Sequence, residues 1–156
     1  MNENKITRLS SIILLVLKEL RLERRIHQAY IAENCGKTPS AWNKIEAGRT
    51  PLTIDMFFRV CSVFQVPSSH ILNTAEQYSI LLGQNNWAII TQELSFEEDI
   101  LLKEAQLYYS SEEYKSKYSQ GLVNLGCSIL NTPIYNPNGV IGISEVFQFI
   151  LSKVRV

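Results

Sequence analysis

At 156 residues, with 46% hydrophobic and 19% charged residues and no net charge, the chain has the composition of one globular domain or two small ones, which excludes a disordered or low-complexity scaffold. The longest purely apolar run, Ile12 to Leu17, is far short of a membrane span, and no cleavable signal pattern precedes it, so no membrane partner and a cytoplasmic location are expected. Cys35, Cys61 and Cys127 are odd in number and far apart, which gives neither a disulfide framework nor a zinc site.

A first helix is expected from Lys5 to Arg25. Leu9, Ile13, Val16, Leu17 and Leu20 recur at three and four residues and form its packing stripe. Leu15 and Leu22 lie on nearly the opposite side with Ile12 at the edge, a side that a small free-standing domain would keep polar. The second half of the chain or a partner subunit is expected to cover them.

Gln28 to Gly48 reads as two short helices joined by a tight turn. Ala29, Ile31, Ala32 and Cys35 give the first an apolar stripe, and Gly36 follows where a helix stops in a left-handed cap. Thr38 then offers a side-chain oxygen to the free amides of a second helix, and Pro39 sits at its first position, where a missing N–H costs nothing. Inward positions fall on Ala41 or Trp42 and on Ile45, while Ser40, Asn43 and Lys44 point outward. Trp42 is read as core in preference to a base-stacking role, because it is the large inward residue. Arg49-Thr50-Pro51 leads to a fourth helix, with Thr53 and Asp55 at its start and Ile54, Phe57, Phe58, Cys61 and Phe64 as its stripe. Pro67 ends that turn, and Ser68 is placed to cap a short fifth helix closed by Ile71 and Leu72.

Leu20-Arg21, Gln28 through Ala32, Gly36, Ile45-Glu46-Ala47-Gly48 and Pro51 occur in this order and spacing. From about Ile6 to Thr74 the chain therefore resembles the Xre-type helix-turn-helix domain shared by phage repressor and Cro proteins and many bacterial regulators. The resemblance implies an all-α fold whose residues 1–74 form a five-helix, lambda-repressor-like DNA-binding domain. By the same carry-over, Thr38, Pro39, Ser40, Asn43 and Lys44 face DNA bases, and Gln28, Arg49 and Thr50 contact the backbone. Arg21 and Glu46 match positions that join helix 1 to the end of the recognition helix by an ion pair. Two departures stand out. His27 occupies a place where Ser or Thr usually caps helix 2, and Pro39 with Ala41 leaves few polar readers, which shifts discrimination towards DNA shape.

Beyond Thr74 the resemblance ends. No glycine-rich or proline-rich linker intervenes, so residues 75–156 are expected to pack on the first half as a mainly helical region. Residues 75–83 look helical, and 85–91 is read as a continuation of helix. Ser95-Phe96-Glu97-Glu98 is a capping box that opens a helix to about Tyr109, and Ser110 to Glu113 is a second. The following helix would carry Tyr114, Tyr118, Leu122, Leu125 and Ile129 on one face. Pro137-Asn138-Gly139 between two apolar pairs allows one small hairpin. Ser144 would cap a last helix bearing Val146, Phe147, Ile150, Leu151 and Val154, docked in its own subunit or in a dimer interface.

Residues 1–74 hold ten Lys and Arg against six Asp and Glu, and residues 75–156 hold five against nine. A base-rich half facing phosphates and an acidic half turned elsewhere fit this division. The expected function is a sequence-specific transcriptional regulator, a repressor in most of the family, that binds double-stranded operator DNA as a homodimer joined through the C-terminal half. Two alternatives stay open: an antitoxin-like protein whose acidic half binds a protein partner, and a ligand sensor with a small effector bound near Tyr108, Tyr109, Tyr114 and Tyr118. No phosphate-cradling glycine loop, metal-ligand cluster or nucleophile with a histidine base is present in the sequence. The expectation is a protein that is not an enzyme and carries no cofactor or metal.

Overall fold

A helix that is apolar on every side has to be surrounded. Helix α1 (Leu9–Glu23) is such a helix: ten of its fifteen residues are buried. In the computed structural model, which describes residues 5–153, the chain is wrapped around it. Helices α2 (Gln28–Asn34), α3 (Pro39–Glu46), α4 (Ile54–Phe64) and α5 (Ser68–Gln84) cover one side. The other side is closed by α6 (Ile100–Tyr109), α7 (Glu112–Ser119), a 3-10 turn at Ile129–Asn131 and α8 (Glu145–Ser152). Two small strand pairs complete the fold: β1 (Ile6–Arg8) with β2 (Ala88–Ile90), and β3 (Ile134–Asn136) with β4 (Gly139–Gly142). The fold is all-α in its bulk, with a helical region following the helix-turn-helix. No helix of the described residues is long and apolar enough to cross a membrane.

Leu15 and Leu22 are both buried, and the cover comes from the same chain. The second half therefore completes the core of the first. Helix α5 runs without interruption through Thr74 and Ala75, both buried, so the short fifth helix and the helical stretch expected at 75–83 are one seventeen-residue helix. Its N-cap is Pro67 and not Ser68. In α4, Met56 and Val60 join Phe57, Cys61 and Phe64 in the core, while Ile54 and Phe58, expected in the stripe, stay exposed.

Three expectations fail because distant segments compete for the backbone. Helix α1 starts at Leu9 and not at Lys5, because Ile6, Thr7 and Arg8 pair in parallel with Ala88, Ile89 and Ile90. For the same reason 85–91 is not helical. Asn86 takes a left-handed conformation at φ +68° and ends α5. That frees the β-branched pair Ile89-Ile90 for the ladder. The capping box at Ser95 closes only a turn, with the Ser95 hydroxyl on Glu98 at 2.8 Å. Asp99 takes the N-cap of α6 instead. Its buried carboxylate accepts from the Thr7 and Ser11 hydroxyls at 2.8 and 2.6 Å and from the Leu102 amide at 3.2 Å, so it fastens β1 and α1 to the start of α6.

The helix expected to run on to Ile129 stops at Ser119, and its N-cap is Ser111 in place of Ser110. Gly121, at φ +70°, terminates it in a left-handed stop. There the Leu122 amide donates to the Lys117 carbonyl at 2.8 Å. Leu125 is consequently exposed, whereas Ile129 is buried through a different route. The Glu23 carboxylate, at the end of α1, accepts from the Asn124 side chain at 2.7 Å, the Ile129 amide at 3.0 Å and the Ser128 hydroxyl. The hairpin forms where Pro137-Asn138-Gly139 signalled it, with Tyr135 opposite Val140 and Asn136 opposite Gly139. Helix α8 docks in its own chain: Val146, Phe147 and Ile150 are buried, and Phe147 stacks on Tyr78 at 3.9 Å between ring centroids. Val154, expected on that helix, lies outside the described residues.

Candidate nucleic-acid interface

The turn between α2 and α3 follows from local chemistry. Gly36 sits at φ +67°, in the left-handed region that glycine enters without strain. The Lys37 amide donates to the Ala32 carbonyl at 2.9 Å, which closes the last turn of α2. Thr38 Oγ1 accepts from the Ala41 amide at 3.1 Å, and Pro39 takes the first helical position. The end of α3 repeats the device, with Gly48 at φ +82° and the Arg49 amide on the Lys44 carbonyl at 2.9 Å. Residues between two such stops form a short rod of fixed length and direction.

Glu46 fixes that rod to the scaffold. Its buried carboxylate receives Arg21 Nε at 2.9 Å, Arg21 Nη2 at 2.7 Å and Trp42 Nε1 at 3.0 Å. The two arginine contacts form a two-point ion pair, the geometry that gives such a pair direction as well as strength. Arg21 Nη1 donates onward to the Ile26 carbonyl at 2.9 Å. The ion pair expected between Arg21 and Glu46 is therefore present and buried. Trp42 is buried, so it is core. Its indole N–H finds its acceptor at Glu46, one turn away on the same helix.

With Trp42, Ile45 and Glu46 turned inward, Thr38, Pro39, Ser40, Asn43 and Lys44 are all exposed on the outer side of α3. Gln28 is half-buried: its Nε2 donates to Glu46 at 3.3 Å and its Oε1 accepts from Asn43 Nδ2 at 3.4 Å. The inner carboxylate thus reaches, through Gln28, one of the outward amides and sets its orientation. Arg49 and Thr50 are exposed immediately after α3. His27 occupies the N-cap of α2 without a side-chain capping bond. His70 has a contact unforeseen from the sequence, Nε2 to the Leu130 carbonyl at 3.1 Å.

Two further residues belong to this region. Phe96, from the loop before α6, lies under the Arg49 guanidinium at 4.1 Å from the ring centroid. Leu102 of α6 packs so closely on the end of α3 that a Cβ at Gly48 would stand 2.5 Å from its Cδ1. Both are far from α3 in sequence, and no local pattern signals either.

Residues 17–71 match the family model described as Helix-turn-helix. This segment, α1 from its middle through the start of α5, is a helix-turn-helix domain of the Xre, lambda-repressor-like type, the DNA-binding domain of transcriptional regulators. No curated protein and no solved structure matches the chain.

Proposed function

We propose that this protein is a cytoplasmic, sequence-specific transcriptional repressor, a binding protein and not an enzyme, that reads operator DNA with α3 in the major groove. The observation that carries the reading is the division of α3 into two faces: Trp42, Ile45 and Glu46 locked to the scaffold, and Thr38, Pro39, Ser40, Asn43 and Lys44 exposed on the other. A helix held this way presents side chains to base edges without spending binding energy on ordering them. Asn43 has the amide that pairs with adenine, and Lys44 the cation that pairs with guanine, each worth roughly 1–3 kcal/mol of discrimination. Pro39 offers an apolar surface to a thymine methyl. Gln28, Arg49 and Thr50 hold the phosphates on either side.

One head of this size covers too little DNA for tight binding, so two copies act together on half-sites about one turn, roughly 34–36 Å, apart. Residues 1–74 serve as the reading head and residues 75–156 as the dimerisation and regulatory region, with α5 common to both. A small effector acting on the C-terminal half is a second reading. It is favoured by a pocket of about 260 Å³ between α6 and the end of α3.

Selection of bound fragments from genomic DNA, followed by affinity measurements at two salt concentrations, tests the repressor reading. Phosphate contacts make the logarithm of affinity fall with the logarithm of salt by about 0.9 per contact. Arg49→Gln should lower that slope by about one and weaken all sequences alike. Failure to enrich any fragment, or an affinity indifferent to salt, would remove the reading.

A further inference from the structure

The 260 Å³ pocket has walls from three places: Leu15 and Lys18 of α1, Glu46 and Arg49 at and after the end of α3 with Phe96 beside them, and Leu102 and Tyr109 of α6. Its walls are mainly apolar, and two cations stand in them without an anionic partner. Lys18 Nζ lies 4.0 Å from the centroid of the Tyr109 ring, and Arg49 lies over Phe96. Among the described residues neither side chain is in a hydrogen bond or an ion pair with a carboxylate. The two acids that act on Lys18 are already hydrogen-bonded elsewhere. Glu46 is held by Arg21 and Trp42, and Glu19 accepts from the Tyr109 hydroxyl at 2.8 Å.

Lys18 and Arg49 share the pocket wall with the Glu46 carboxylate, which Arg21 and Trp42 already hold, and Lys18 lies near the Glu19 carboxyl, whose pKa burial pushes up to about 7. Glu93, Glu97 and Glu98 line the adjoining groove, which Arg49 and Phe96 also border. Burial also lowers the pKa of Lys18, so its ammonium is poorly solvated where it stands. An anion placed beside it would replace the missing solvation, while the aliphatic and aromatic walls would take an apolar body.

We propose that this pocket binds a small apolar carboxylate, its charged end between Lys18 and Arg49 and its body against Leu15, Leu102 and Phe96, and that occupancy withdraws Arg49 from the DNA backbone. The first part concerns the DNA-free protein and is independent of what the protein does. The second rests on the repressor reading above. Because Ala47 and Arg49 close α3 and also line the pocket, ligand and DNA draw on the same guanidinium. Coupling through it is reciprocal, and each weakens the other by the same factor.

Calorimetry on the full chain without DNA tests the pocket, with hexanoate, benzoate and phenylacetate as probes, each set against the amine of the same skeleton, and inorganic phosphate as a control. The expected result is one-to-one binding of at least one carboxylate, with the matched amines and phosphate binding at least tenfold more weakly. Lys18→Met, which keeps the apolar stem, should weaken that binding at least tenfold, and Lys103→Met, on the exposed side of α6, should leave it unchanged. Circular dichroism of both variants reports whether they fold. A folded Lys18→Met variant that binds as the parent does, or carboxylates that bind no better than their amines, overturns the pocket. The coupling is tested on the enriched DNA fragment: saturating carboxylate should lower its affinity at least fivefold in the parent and not in Lys18→Met. Carboxylate binding with unchanged DNA affinity overturns the coupling alone, and carboxylate binding by a protein that enriches no fragment leaves the pocket standing while the repressor reading falls.

Discussion

Single side chains decide how firmly α3 is held, and Glu46 is the most consequential. Its carboxylate is out of water and serves Arg21, Trp42 and Gln28 together. Arg21→Met would strand that charge and should cost about 3–5 kcal/mol in chemical denaturation. Arg21→Met with Glu46→Met should cost much less than the two single changes added, because no unpaired charge remains. A double variant as damaged as the sum would mean that the pair is not coupled. Glu19 behaves differently. Burial first, and then the Glu23 carboxylate, raise its pKa from the ordinary 4.5 to about 7, against opposing hydrogen bonds from Tyr109 and Asn124 and the charge of Lys18. The folded protein keeps Glu19 protonated where the unfolded chain ionises it. Its contribution to stability is therefore fully present below about pH 4.5, declines as pH rises through about 7, and is absent above that. Up to about 3 kcal/mol is lost across that window by linkage. Glu19→Gln should flatten the stability profile between about pH 4.5 and 7, measured against the parent; parallel profiles would contradict this.

Elements are placed by contacts of a different reach. Helix α3 begins and ends on signals within a few residues, Gly36, Thr38, Pro39 and Gly48, and for that reason its limits were readable from the sequence. The direction in which it is held depends on α1 through Arg21 and on α6 through Leu102. Gly48 joins the local and the distant requirement. Gly48→Ala would force a side chain into a left-handed conformation, which costs about 1–2 kcal/mol. The new methyl would also push Leu102 aside. A drop in melting temperature together with weaker DNA binding is expected, and an unchanged protein would show that α6 does not set the end of α3. The early end of α7 is local, set by Gly121, but three other elements that sequence reasoning misplaced share one cause. The start of α1, the strand at Ala88–Ile90 and the N-cap of α6 are all decided by partners about eighty to ninety residues away: β1 by β2, and Asp99 by Thr7 and Ser11. Periodicity and capping rules describe neighbours along the chain, and they carry no information on such pairings.

At the scale of the molecule, one buried helix serves both halves. Because α1 is covered on one side by α2 to α5 and on the other by α6 and the 3-10 turn, the base-rich and acid-rich halves share a core and cannot be separated without opening it. The recognition of residues 17–71 came from side chains that the family reuses at fixed spacing, whereas the pocket beside Lys18 and the stacking of Phe96 on Arg49 arise only when the halves meet. The central claim is that this shared scaffold presents α3 to base edges. Its most direct test is the ratio of affinities for the enriched fragment and for random duplex, measured at one salt concentration for the parent and for Asn43→Ala with Lys44→Ala. The account predicts a parent ratio of at least about 10³ and a fall of at least about tenfold in the double variant. A folded parent with a ratio near one, or a ratio that the two substitutions leave unchanged, would contradict it.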